Sequence, residues 1–369
     1  MKLVIIKLFV VFIRVLYAFM KLRKTENKIV WLSRQSNEKS EDIKMLSDEI
    51  SRISPETKQV FRLCRLKDER GLSVSYIFFI LRDMWEIASA KIAITDTYSI
   101  PVSCLKHKNS LTVFQIWHAL GAVKKFSLQS AGKAQGRDLG VAKAMSMHKN
   151  YDFVIAPSQK TAEFYCEAFG CSKDVVKIAS LPRVDVILDG KTRYDEFIEF
   201  NPQYNNKKII VYLPTFRVGD SEYIERLYKA FDGDEEYSLI VSPHPLTETN
   251  GKYKINGSFS TYDLAKLSYG IISDYSATSL ECSLLNKPLW FYIPDYEKYK
   301  EEQGLNIDIK TEMPFAAFVD EGELTNNIKN AIYNFDDLKR FSDKYIENKG
   351  TNNTEILADI ILKVYDKEC

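Results

Sequence analysis

The chain has 369 residues, 45% hydrophobic and 27% charged, with 15 glycines and 11 prolines. This composition excludes a disordered, collagen-like or low-complexity chain, and the length fits two domains. With 51 basic against 50 acidic residues the net charge is +1, so no global basic field marks a nucleic-acid-binding protein, and no nucleic-acid partner is expected.

The charge is unevenly spread along the chain. Residues 1–24 hold six basic side chains (Lys2, Lys7, Arg14, Lys21, Arg23, Lys24) and no acid, while the rest holds 45 basic and 50 acidic ones. The uninterrupted apolar runs in this segment, Leu8–Ile13 and Val15–Met20, are six residues each. That falls short of the ~20 needed to span a bilayer, and no secretory cleavage site follows. On a helix, Lys7, Arg14 and Lys21 form a narrow basic stripe beside a wide apolar face. Such a helix lies in the interface of an anionic membrane; the plainer alternative is a helix packed on the protein's own body. On the first reading, removing residues 1–24 should leave a folded and more soluble protein.

From Lys28 short β-rich runs alternate with helical ones. Strands are predicted at Ile29–Ser33, Gln59–Arg65, Lys91–Asp96, Thr112–Trp117, Tyr151–Ala156 and Val175–Ala179. Helices are predicted at Lys39–Ser51, Val74–Ala90, near Val141–His148 and at Thr161–Phe169. The polar stretch 191–208 interrupts this pattern and reads as a linker. Strands then follow at Ile209–Leu213, Ser238–Ser242, Gly270–Ser273 and Leu289–Tyr292. Helices are expected at Tyr223–Phe231, Thr261–Leu267, Ser276–Leu285, near Leu324–Asn334 and within Leu338–Tyr365. Alternation at this spacing makes an α/β protein of two doubly wound, Rossmann-like domains, 25–190 and 209–369, facing a central cleft behind the 1–24 helix.

Four histidines are present. His118, in QIWHALGAVKK, and His244, in LIVSPHPL, each follow a strand, one per domain, where α/β proteins place ligand groups. His107 and His148 sit beside Lys and Asn and read as solvated surface residues. In GIISDYSATSLECSLLNKPLWFY a strand runs into a helix start at Ser276, with Thr278 and Ser279 in its first turn. The N–H groups there make either an anion site or an ordinary capped helix. Glu281, one turn on, is well placed to accept from a ribose. Thr215 and Arg217 follow a strand in VYLPTFR, and Arg183 and Asp185 lie in LPRVD; each Arg is a ligand contact or a surface ion pair. Asp232-Gly233-Asp234 resembles a metal-binding DxD but reads as a solvated loop. The cysteines (Cys64, Cys104, Cys166, Cys171, Cys282, Cys369) lack metal-ligand spacing and read as small buried hydrophobes.

The series WHALGAVKK, LPRVD, VYLPTFR, SPHP and SDYSATSLECSLLNKPLWFYIPDYEKY resembles the CDP-glycerol glycerophosphotransferase family of Gram-positive teichoic acid synthesis. The resemblance covers about residues 111–320. It implies a GT-B fold and a peripheral enzyme on the cytoplasmic face of the cell membrane. Such an enzyme passes glycerol phosphate from CDP-glycerol, or ribitol phosphate from CDP-ribitol, to a hydroxyl of a lipid-linked (polyprenyl diphosphate) acceptor, releasing CMP. It implies His118 and His244 as the paired essential histidines, with His118 as base. It further implies a donor site of Arg183, Thr215, Arg217, Ser242, Ser276, Ala277 and Glu281. Lys124 and Lys125 stand slightly later than the family lysine and are candidate acceptor or phosphate contacts. Ala277 stands where the family more often has a second Ser, so only its N–H is offered. No cofactor or metal is expected. A GT-B glycosyltransferase using a nucleotide-sugar, or a non-catalytic membrane scaffold, are the alternatives.

Overall fold

The computed structural model describes residues 2–66, 74–133, 136–215, 220–243, 252–330, 332–347 and 349–367. The chain divides into two compact units. Met1–Leu120, Phe126–Asp185 and Glu347–Cys369 form the first; Gly121–Lys125 and Val186–Ile346 form the second.

The first unit is built on six parallel strands: β1 (Lys28–Ser33), β2 (Lys58–Leu63), β3 (Ile92–Thr95), β4 (Thr112–Gln115), β5 (Phe153–Ala156) and β6 (Val176–Ile178). Their order is β2-β1-β3-β4-β5-β6. β1, β3 and β4 are buried along their whole length. Helices on both faces of a parallel sheet cause this, and it explains why these strands read as unbroken apolar runs. The chain leaves β1 for β2 and returns to the other side of β1 with β3. The topological switch point therefore lies between β1 and β3.

The helix Glu41–Ile53 starts where the Ser40 hydroxyl accepts from Ile43 N at 3.4 Å, and it buries Ile43, Leu46 and Ile50 at helical spacing. The last helix, Asn353–Lys367, packs on it. The Asp185 carboxylate caps that last helix, taking Asn353 N at 2.8 Å, Thr354 N at 2.9 Å and the Thr354 hydroxyl at 2.6 Å. This long-range cap ties the C-terminal residues from Glu347 onward to the first unit, whereas the alternation in sequence groups all of 209–369 together. Asp185 has a structural task.

Lys2–Met20 is one continuous helix, and its 3–20 stretch, with mean hydropathy 2.5, is by length and composition long and apolar enough to cross a membrane. It packs along the helices Val74–Ile87 and Leu139–Ala144 of its own unit, with Val10, Ile13 and Tyr17 buried. Arg14 Nε donates to Cys104 O at 2.8 Å, and the Tyr17 hydroxyl lies 2.9 Å from His107 Nδ1. On the opposite side Val4, Ile5, Leu8, Val11, Phe12, Val15 and Phe19 are each more than half exposed. One stripe of this helix therefore docks on the body, as the second of the two sequence-based readings expects, and a second apolar face has no cover among the described residues.

The second unit carries five parallel strands: β7 (Lys208–Tyr212), β8 (Tyr237–Val241), β9 (Gly270–Ser273), β10 (Leu289–Tyr292) and β11 (Ala317–Phe318). They are ordered β11-β10-β9-β7-β8, so the switch point falls between β7 and β9. A Cβ on Gly270 would stand 2.5 Å from the Trp290 ring, so the start of β9 needs a residue without one. The stretch 191–208, expected to be a linker, contains the helix Tyr194–Phe200, which buries Phe197 and belongs to this unit. Five cysteines are free among the described residues; Cys104 and Cys282 are buried, and Cys64, Cys166 and Cys171 half-buried.

Candidate active site

In the first unit Ser33, Asp96 and His118 come off the carboxyl ends of β1, β3 and β4, which are neighbours in the sheet. The chain turns sharply after β4. Trp117 adopts φ 54°, a left-handed backbone that an L-residue takes only when held there. The holding group is the buried Gln115 side chain, which accepts from Trp117 N at 2.8 Å. The turn delivers His118 with its ring 4.1 Å from the Trp117 ring centroid and its Nδ1 2.8 Å from Asp96 O. A carbonyl only accepts, so Nδ1 carries the hydrogen and the basic lone pair of neutral His118 is on Nε2. The Gln35 amide nitrogen, 3.4 Å from Nδ1, makes the longer and weaker of the two contacts there.

His118 lines a cavity of 190 Å³ together with Gln35, Asp42, Asp96, Trp117 and Arg183. Arg183, expected as a donor contact or an ion pair, pairs with Asp42: its Nε and main-chain N each donate to that carboxylate at 2.8 Å, and its terminal nitrogen joins them. Asp96 accepts from the Ser33 hydroxyl at 2.9 Å through Oδ2. Burial, with the nearby Asp42 charge adding to it, pushes the Asp96 carboxyl up to about 6, against the Ser33 hydrogen bond. The sequence reading missed Asp96. It had a signal in ITDT, an acid just past a strand end, by the same edge argument that singles out His118.

In the second unit Asp274 follows β9 and Thr215 follows β7, on the two sides of the switch point. Thr215 N donates to both Asp274 oxygens at 3.0 and 2.9 Å, its hydroxyl to Oδ1 at 2.6 Å, and Ser276 N to Oδ1 at 3.2 Å. The helix expected from Ser276 begins at Thr278, because Asp274 captures the preceding amide and holds a turn there. Ser276 Oγ accepts from Thr278 N at 3.2 Å and lies 3.1 Å from the Thr278 hydroxyl, while Ala277, the residue before the helix, offers no side-chain cap. Glu281 is buried and accepts from the Tyr262 hydroxyl at 2.9 Å. Ser242 N continues the sheet to Tyr212 O at 2.9 Å. Lys124 bridges to Leu305, and Lys125 N donates to Gly304 O at 2.9 Å, so both are fixed through their backbone in this unit. His244 and Arg217 lie outside the described residues.

His148 is buried and His107 half-buried, contrary to the expectation of solvated surface residues. Only 2% of His148 is exposed, within a cluster containing Trp117, Tyr151 and Phe169. The His107 ring bridges Tyr17 and Val102 O, the latter at 2.7 Å. Burial lowers them to about 3 and about 4 respectively, so both rings are neutral at pH 7. Asp234 of the DxD-like loop pairs with Lys329 at 2.5 Å and takes Tyr237 N at 2.7 Å. Among the described residues no group of three His, Cys, Asp or Glu stands close enough to hold a metal ion.

The family model described as CDP-Glycerol:Poly(glycerophosphate) glycerophosphotransferase matches residues 15–363. The teichoic acid ribitol-phosphate primase of Bacillus spizizenii is 28% identical over 322 residues, covering 80% of this chain and 81% of that protein. The teichoic acid glycerol-phosphate primase of Bacillus subtilis is 26% identical over 294 residues, 76% of each chain. A structure of the wall teichoic acid polymerase TagF with CDPG superposes with a TM-score of 0.72 at 18% identity, covering 96% of this chain and 93% of that one. This last likeness establishes the GT-B fold.

Proposed function

Since the chain belongs to the CDP-glycerol:poly(glycerophosphate) glycerophosphotransferase family, we propose that it passes an alditol phosphate from a CDP-alditol to the hydroxyl of a membrane lipid-linked acceptor, with His118 as general base. Transfer from CDP-glycerol or CDP-ribitol in wall teichoic acid synthesis is the activity that the primase and polymerase relatives indicate. The observation that carries the role of His118 is its Nδ1 contact with Asp96 O, which puts the lone pair on Nε2 at a sheet edge.

His118 Nε2 takes the proton of the acceptor alcohol as its oxygen attacks the β-phosphate, and CMP leaves with the α-phosphate. The pocket's tasks are positioning and charge stabilisation, which dominate phosphoryl transfer. Ser276 and the Ala277 amide take the diphosphate, together with Thr215, Ser242 and the essential His244 and Arg217 that the family resemblance assigns. The buried Glu281, ordered by Tyr262, takes the ribose. Arg183 acts from the His118 cavity, and Lys124 and Lys125 supply charge for the acceptor phosphates.

The outward apolar face of Lys2–Met20, edged by Lys7, Arg14 and Lys21, suits the cytoplasmic surface of an anionic membrane. A helix docked along one stripe on its own protein is not free to be ringed by lipid, which favours the in-plane position. The test is a donor panel of CDP-glycerol, CDP-ribitol and UDP-sugars with a lipid acceptor. CMP release from a CDP-alditol is expected; UDP release alone would replace this reading with a glycosyltransferase, and neither product with a scaffold.

A further inference from the structure

The two switch points carry the same device with one difference. In each, a hydroxyl at or just past the end of the first strand donates to an aspartate following the third: Ser33 to Asp96 in the first unit, Thr215 to Asp274 in the second. Asp274 takes four hydrogen bonds from Thr215 and Ser276, shared over both oxygens. Asp96 is not so satisfied. It is 97% buried, yet its Oδ1 has no hydrogen-bond partner among the described residues. The adjacent Thr97 hydroxyl, also without a partner among the described residues, lies near enough to favour the carboxylate but does not meet hydrogen-bond geometry. A buried polar atom left in this state marks either strain or a missing ligand.

Asp96 is among the residues lining the His118 cavity, which supplies the place for a ligand; Oδ1 itself is closed to solvent, so it meets that ligand through a turn of the carboxyl group. At 190 Å³ the cavity is smaller than the ~300–1,000 Å³ of pockets for drug-sized ligands, so it suits one small polyol unit better than a nucleotide. A carboxylate oxygen only accepts, so the missing partner is a donor; a phosphate oxygen is refused and an alcohol O–H is welcome.

We propose that Asp96 recognises the acceptor, its Oδ1 taking a hydrogen bond from a hydroxyl that is not itself phosphorylated, beside the one that His118 activates. This rests on the transferase reading and extends it from the reacting hydroxyl to its neighbour. Asp96 is then a specificity-determining residue: it distinguishes a polyol end from a simple alcohol.

The experiment is a two-by-two cycle of enzyme and acceptor. Soluble acceptors ending in glycerol phosphate, and in the 2-deoxy analogue, are each tried with the unmodified protein and with Asp96→Asn, using CDP-glycerol and CDP-ribitol as donors. The unmodified protein should lose at least about tenfold in kcat/KM on the deoxy acceptor, through KM, whereas Asp96→Asn should barely distinguish the two; donor affinity should stay within about twofold. Equal losses on the deoxy acceptor in both proteins would overturn the proposal. Asp96→Ala gives the same comparison should the Asn variant not fold. Binding is also read without turnover, by titrating glycerol phosphate and following the His118 ring signals. A response in the unmodified protein that vanishes in the variant supports the role of Asp96 even if no CMP forms, in which case the transferase reading alone fails. An identical response in both, or none in the unmodified protein, overturns it.

Discussion

His118 Nδ1 sits 2.8 Å from the main-chain oxygen of Asp96, a contact that fixes the tautomer of the ring as well as its orientation. The contact is to backbone, so a side-chain substitution at Asp96 leaves it in place. Recognition at Asp96 and proton transfer at His118 are therefore separable by mutation.

His118→Ala should lower kcat by about 10²–10⁴ while donor affinity stays within a few-fold, since a base acts on the barrier and little on ground-state binding. His118→Asn is the sharper test. Its amide can replace the Nδ1 donor to Asp96 O, but nothing replaces the Nε2 lone pair. It should fold better than the Ala variant and be as inactive. Stopped assays for CMP, with CDP-glycerol titration alongside, check both points; an Asn variant with near-parental turnover would remove Nε2 from the mechanism.

The N-terminal helix should respond differently on its two faces. Replacing Leu8, Val11, Val15 and Phe19 by Ser should release the protein from anionic vesicles with little change in stability, since those side chains are exposed. Ile13→Ala should instead cost about 2–5 kcal/mol, as the side chain is fully buried. Deleting residues 1–24 removes both faces and strips the partners of Cys104 O and His107. The truncated protein should therefore be less stable than the parent, even where it still folds. Vesicle sedimentation and thermal unfolding on the same samples decide this.

What the sequence made legible follows from the range of the interactions. Strand and helix order came from local periodicity, and Thr261–Leu267, Gly270–Ser273 and Leu289–Tyr292 fall where their patterns put them. The edge positions of His118 and Thr215 followed from strand ends alone. The pairing of Arg183 with Asp42, 141 residues away, was not legible, nor was the capping by Asp185 of a helix that starts 168 residues later. His107 and His148 looked solvated beside Lys and Asn; their burial depends on Tyr17, Trp117 and Phe169, which local context does not reveal.

Those two histidines set a pH dependence. Each stays neutral in the folded chain down to about 4 and about 3, while in the unfolded chain it takes up a proton near the usual value of about 6.5. The unfolded state thus binds more protons in between, so their contribution is complete above pH 6.5 and is lost as the pH falls toward 4. Asp96, raised to about 6, slopes the opposite way and flattens the profile of the intact protein. The difference between the parent and a His107→Gln, His148→Gln double variant isolates the histidines. That stability gap should widen from pH 4 to 6.5 and level off above, as read by urea unfolding at several pH values; a gap independent of pH would mean that the rings titrate normally.

The turn at Asp274 separates stability from donor binding. Asp274→Ala leaves Thr215 N–H, the Thr215 hydroxyl and Ser276 N–H without their acceptor, which should cost more than the ~1–3 kcal/mol of one buried group and weaken donor binding with it. Ser276→Asp acts otherwise. A carboxylate there can still accept from Thr278 N, as the hydroxyl does, and is favourable at a helix start. It also stands two residues from the fully buried Asp274, whose charge repels it, so the gain expected from capping alone is offset and stability should remain near the parent's. Donor binding should not survive, because a second negative charge occupies the position assigned to the diphosphate. Calorimetric titration with CDP-glycerol and CDP-ribitol, paired with thermal unfolding, reads the two effects on one sample. A Ser276→Asp protein that binds either donor as the parent does would make this turn a structural feature and move the diphosphate elsewhere in the second unit.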